Sequence, residues 1–175
     1  KLMVVRNNYY WIDDKSNAGF IANGDIVDVV KVKEIIERYG FNFAKASIQM
    51  SEYHDKKELD VILLLDTLTS ENPAITYEQY QQLYKEVRLD YKGHKEVNKK
   101  IKEDQFFNAL QIKFAYAITC HKSQGGQWEN VFVDLGYFTE EMLDKSYFRW
   151  LYTAFTRASQ KLYLINFNNN FFKQF

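Results

Sequence analysis

Phe114-Ala115-Tyr116-Ala117-Ile118-Thr119-Cys120-His121-Lys122-Ser123-Gln124-Gly125-Gly126-Gln127-Trp128-Glu129-Asn130-Val131-Phe132-Val133 is the stretch whose reading decides the fold. Its apolar start predicts a strand over 114–118 and its end a second strand over 130–135, with a polar, glycine-ended loop from Thr119 to Gly126 between them. An α/β sheet meets its ligands at loops of this kind, because backbone N–H groups and side chains converge there free of competing secondary structure. Thr119, His121, Lys122, Ser123 and Gln124 place hydroxyl, imidazole, ammonium and carboxamide groups within six residues, a set suited to phosphate oxygens. Taken alone, the same composition also describes an ordinary solvated loop, which is the commoner use of such a stretch.

Downstream the α/β pattern continues. Residues 139–143 read as a short helix and 146–158 as a longer one, with Phe148, Leu151, Tyr152 and Phe155 at helical spacing and expected to be buried. Leu162 to Ile165 is a closing strand, and the Asn-rich run over 166–170 a cap or frayed exit. Arg157 ends the longer helix. Two uses fit it: a cation set against the helix C-terminal dipole, or a planar multi-donor head that stabilises a transferring phosphoryl group.

Upstream the pattern is β. Leu2 to Val5 is a buried-type strand, residues 13–19 are loop, and Asn23-Gly24-Asp25 is a turn leading into the β-branched strand Ile26 to Val32. Strands over 35–39, 41–50 and 59–65, separated by Gly40 and the polar run over 52–58, predict a small barrel or curled meander. At Pro73 the character changes. Thr76 and Gln79 form a capping box for a helix running to Gly93, on which Tyr77, Tyr80, Tyr84, Val87 and Tyr91 read as a packed face rather than a base-stacking stripe. The charged segment 94–104 interleaves Lys95, Lys99, Lys100 and Lys102 with Glu96, Glu103 and Asp104, and reads as a solvated second helix more than a phosphate track.

Composition narrows the classes. With 23 basic and 23 acidic residues in 175, the chain has no net field for polyanions, so nucleic-acid contacts must come from local clusters. A single Cys excludes an internal disulfide, and without an apolar run near 18 residues the expectation is a soluble, cytoplasmic protein with no membrane partner. No Walker A run occurs, His54, His94, Cys120 and His121 have no zinc-ligand spacing, and Ser123 or Cys120 beside His121 makes a poor nucleophile–base pair. No metal site is expected. The abrupt strand after Lys1 points to a piece of a longer protein.

Taken together, Thr119 to Gly125 resembles motif V of superfamily 1 helicases, and Leu151-Tyr152-Thr153-Ala154-Phe155-Thr156-Arg157-Ala158 resembles their motif VI. Val4-Val5-Arg6-Asn7-Asn8-Tyr9 and Asn23-Gly24-Asp25 resemble the segment that leads, in the RecD-like branch, into an inserted SH3-like barrel. The resemblance implies an α/β fold: a partial second RecA-like motor domain, a parallel sheet with flanking helices, from residues 1–24 and 106–175. The insertion is expected over 25–105, an SH3-like barrel with a helical segment at about 76–105.

By the same resemblance, Thr119, His121, Lys122 and Ser123 contact single-stranded DNA, and Gln124, Gly125 and Gln127 serve the nucleotide site. Arg157 is the catalytic arginine, reaching the γ-phosphate of an ATP·Mg²⁺ held by an N-terminal motor domain in cis that this chain lacks. The family usually has Glu where Gln127 stands, so the hydrogen bond is kept and the charge lost. The fragment alone is expected not to hydrolyse ATP. A non-catalytic nucleic-acid or protein-binding module of helicase-like shape is the rival reading.

Overall fold

In the computed structural model, which describes residues 1–12, 19–51, 58–168 and 172, the longest feature is a hairpin. Strands β2 (Ile26–Arg38) and β3 (Phe41–Met50) are joined through Tyr39 and Gly40. Both turn residues have positive φ, 56° and 75°, the backbone twist that lets a two-residue loop match the twist of its strands. The stretch 35–39 therefore extends β2 rather than forming a strand of its own. Of the predicted loop over 13–19, the polar run over 52–58 and the Asn-rich run over 166–170, residues 13–18, 52–57 and 169–170 lie outside the described residues.

Two units divide the chain, Lys1–Ala117 and Ile118–Phe175. In the first, β1 (Leu2–Val4), β2, β3, β4 (Glu58–Leu64) and β5 (Leu110–Phe114) close a barrel. Neighbours run antiparallel except β4 and β5, which pair in parallel with Leu63 opposite Leu110. Val4, Ile21, Val27, Ile48, Leu110 and Ile112 fill the interior with no exposed surface. Each such side chain is worth ~1.5–3 kcal/mol of burial. Segments 1–24 and 106–117, grouped with the motor domain from the sequence, supply β1 and β5 to this barrel. The strand expected over 114–118 also ends at Phe114, because Leu110 and Ile112 are the residues that face the core, while Phe114 is exposed.

A parallel pair cannot be joined by a hairpin, so residues between β4 and β5 must cross over. They do so through α1 (Asp66–Thr69), α2 (Tyr77–Asp90) and α3 (Val97–Lys102). Helix α2 starts at the expected capping box: Thr76 Oγ1 accepts from the Gln79 N–H at 3.3 Å, and Gln79 Oε1 accepts from the Thr76 N–H at 2.9 Å. It ends at Asp90, short of Gly93. Its buried face is Leu83 and Val87, set against Phe43, Ile62, Ile101 and Phe106; of the tyrosines, Tyr80 and Tyr84 flank that face and Tyr77 is exposed.

The second unit contains β6 (Trp128–Asp134) and β7 (Ala158–Ile165), a parallel pair connected by α4 (Lys145–Phe155). Asp144 caps α4 by accepting from the Tyr147 N–H at 2.8 Å. The expected apolar face of this helix is not buried as a whole. Ala154 is its buried residue and Leu151 and Phe155 are half-buried, while Phe148 is 59% and Tyr152 73% exposed. The sheet too leaves apolar surface open: Phe132 and Tyr163 stack at 4.5 Å between ring centres, with Phe132 65% exposed. No helix among the described residues is long and apolar enough to cross a membrane.

Candidate functional site

The polar loop begins with a short helical turn over Cys120–Ser123, closed by the Lys122 and Ser123 N–H groups donating to the Thr119 carbonyl at 2.9 and 3.2 Å. Ser123 is 7% exposed, and its hydroxyl donates to the Cys120 carbonyl at 2.7 Å. It shapes the turn from inside rather than standing on its surface with the residues read beside it. Thr119, His121 and Lys122 are exposed, and their side chains have no hydrogen-bond or ion-pair partner among the described residues. A hydroxyl, an imidazole and an ammonium thus stand together, free to meet an outside acceptor.

Two glycines leave the turn for different reasons. Gly125 has φ +87°, which L side chains rarely adopt. At Gly126 the limit is space: a Cβ would lie 2.4 Å from Cη2 of Trp128, so the indole ring needs the bare backbone. Gln127, between Gly126 and Trp128, is exposed, and its carboxamide has no partner among the described residues.

Arg157 sits where β7 begins, and its side chain turns toward this loop. Nε donates to the Thr153 carbonyl at 2.9 Å and Nη2 to Thr156 Oγ1 at 3.0 Å, which hold the guanidinium against α4. Nη1 donates to the Gly126 carbonyl at 2.9 Å and, more weakly, to the Ser123 carbonyl at 3.4 Å. The backbone closes the same ring, because the Trp128 N–H donates to the Arg157 carbonyl at 2.9 Å. A planar head with donors in fixed directions can bridge helix and loop in this way; an ammonium cannot. Arg157 is thus more than a charge at a helix end, since it ties the two predicted motifs together.

Between the helical turn and α4 lies a cleft of about 530 Å³. His121 and Gln124 line it from the loop, and Arg149, Tyr147, Trp150 and Thr153 from the helix. Arg149 was not singled out in the sequence. It is exposed with a guanidinium that has no partner among the described residues, and its signal was a cation on the helix expected over 146–158, which in the structure ends at Phe155, before Arg157. The Tyr147 hydroxyl is buried without a hydrogen-bond partner among the described residues. Cys120 donates its thiol to the Trp150 carbonyl at 3.4 Å, and burial pushes that thiol up, opposed in part by the Arg157 charge. A thiol held protonated is not a nucleophile. Among the described residues no group of three His, Cys, Asp or Glu is placed to hold a metal ion.

The geometry therefore brings His121, Gln124 and Arg149 to one cleft, with Thr119 and Lys122 exposed on the same loop and Gly125, Gly126 and Arg157 shaping that loop. Residues 114–165 match the family described as the UvrD-like helicase C-terminal domain. Over 64 residues the chain is also 39% identical to an uncharacterized protein of Methanocaldococcus jannaschii, a stretch covering 37% of this chain and 5% of that protein. The family match supports a C-terminal fragment of a superfamily 1 helicase, and the chain spans only a small part of the length of the relative it resembles.

Proposed function

We propose that this chain is the C-terminal part of an ATP-dependent DNA helicase of the RecD-like branch, with the second unit belonging to its second RecA-like motor domain. The observation that carries the reading is Arg157: its guanidinium holds the carbonyls of Ser123 and Gly126, so the arginine of the motif VI-like helix and the loop of the motif V-like turn move as one piece. That is the linkage a motor needs between a nucleotide site and a strand grip. Parallel sheets are normally covered on both faces, so the open Phe132–Tyr163 surface supports a sheet that continues in a larger α/β domain.

In this reading Thr119, His121, Lys122 and Arg149 hold the phosphates of a single strand. Gln124, Gln127 and Arg157 face the nucleotide, with Gly125 giving the loop its turn. The residues here fit one side of an ATP site only, since the sequence has no phosphate-binding glycine loop. ATP with Mg²⁺ supplies the phosphoryl transfer when bound to the complete enzyme. Arg157 is the residue that would meet its terminal phosphate, exchanging a loop carbonyl for a phosphate oxygen and so loosening the grip on the strand.

The test is Arg157→Ala in the full-length protein. Strand-stimulated ATP hydrolysis should fall by ~10³-fold or more, and single-strand binding without nucleotide should weaken by a smaller factor, because the loop carbonyls that Arg157 holds are released while the outward donors remain. Hydrolysis at the wild-type rate would end the motor reading and leave this part of the protein a non-catalytic binding module.

A further inference from the structure

A second cleft, of about 290 Å³, lies wholly within the first unit, between the segment after β1, the start of α2 and the turn before β5. Its lining is uneven in charge. Arg6 and Lys102 are both present, and no Asp or Glu lines it among the described residues, although the chain as a whole is neutral. Both cations are exposed, and neither side chain has an ion-pair or hydrogen-bond partner among the described residues. The lining also holds an aromatic pair: Tyr80 and Phe107 have ring centres 5.4 Å apart, and the Arg6 guanidinium stands 5.3 Å from the centre of the Tyr80 ring.

At the cleft lies Gln111, 8% exposed. Its Oε1 accepts from the Ile75 N–H at 3.1 Å, which fixes which end of the amide is which and leaves Nε2 as a donor with no partner among the described residues. That donor opens onto the cleft, free to meet an acceptor on a ligand.

We propose that this cleft binds one phosphorylated nucleoside: the base against Tyr80 and Phe107, a ring or sugar acceptor at Gln111 Nε2, and the phosphate between Arg6 and Lys102. Aromatic stacking combined with cations is the chemistry by which single-stranded nucleic acid is held without sequence preference. The volume is at the small end for ligand pockets and suits a single nucleotide. The same unit can be a free nucleotide or one residue of a strand. The assignment does not rest on the reading of the second unit.

The probes are a fluorescein-labelled oligothymidylate and AMP, titrated into the 175-residue chain carrying His121→Ala and Lys122→Ala, which removes the strand grip proposed for the second unit. Adding Arg6→Glu and Lys102→Glu should weaken oligonucleotide binding at least tenfold with the melting temperature unchanged, as both residues are exposed. Tyr80→Leu should weaken it about tenfold, while inorganic polyphosphate should compete poorly. Competition by AMP identifies a free nucleotide as ligand; absence of competition identifies a strand residue. Binding that ignores Arg6 and Lys102, equal competition by polyphosphate, or no binding of either probe would overturn the assignment. Oligonucleotide binding abolished by the His121 and Lys122 changes alone would overturn it too, while favouring the grip in the second unit.

Discussion

Arg157 and Trp128 are bound on both sides of one loop residue: the Arg157 guanidinium donates to the Gly126 carbonyl at 2.9 Å, and the Trp128 N–H donates to the Arg157 carbonyl at the same distance. Gln127 is left between two anchors on a single arginine. Arg157→Lys keeps the charge and removes the fork, so it should cost the second unit ~1–3 kcal/mol. Hydrogen exchange should show faster turnover at the Ser123, Gln124 and Gly126 amides, with β2 and β3 unaffected.

Gly126→Ala should act through Trp128. The added methyl has no room against the indole, so the ring must leave its position over the loop backbone. A shift in tryptophan emission toward longer wavelength is expected. Gly125→Ala fails for the other reason, strain at positive φ, and should cost ~1–2 kcal/mol with the emission unchanged.

The barrel closes over one hydroxyl. Thr67, fully buried, has its Oγ1 2.8 Å from the Leu64 carbonyl and 2.9 Å from the Ile112 carbonyl, and it accepts from the Ile112 N–H at 3.0 Å. One proton serves one carbonyl at a time, and the lone pairs serve the N–H. Thr67→Val keeps the shape but strands that N–H, so the first unit should lose ~1–3 kcal/mol in urea denaturation.

Alkaline pH should loosen the first unit through Tyr91. Its hydroxyl donates to Asp104 Oδ2 at 2.8 Å, while Asp104 Oδ1 accepts from the Phe106 and Phe107 N–H groups at 2.8 Å each. Bonded to that carboxylate, the phenol is pushed up to about 12. An unfolded tyrosine titrates near ~10. A raised value means the contribution is whole below that point and is lost as pH climbs toward 12. Tyr91→Phe should flatten the fall in melting temperature over this window.

The capping box at Thr76 and Gln79 could be read in the sequence because it is local: both partners lie within one turn, and side-chain chemistry alone defines it. The end of β5 could not. Phe114 to Ile118 continues an apolar run, and only the barrel's register, with Val4 opposite Ile112, fixes which residues of that run face the core. Helix α4 shows the same limit. Its period was correct, but Phe148 and Tyr152 lie on a side that this unit does not cover. The outward residues of the candidate site, Thr119, His121 and Lys122, were legible as a cluster of polar types. Ser123 turns inward, which its type does not reveal because a hydroxyl reads alike whether it turns out or in, and Arg157's bonds were hidden because three of its four acceptors are carbonyls, which every residue has.

One consequence follows from β1 lying between β2 and β5. The Ala115 N–H donates to the Lys1 carbonyl at 3.1 Å, so the chain leaves the first unit beside the point where it entered. A unit with adjoining ends can be spliced into a surface loop of a host without stretching it. The barrel and its helices are therefore transplantable: joined head to tail through a short linker and reopened at Tyr39 and Gly40, the same residues should fold as a circular permutant.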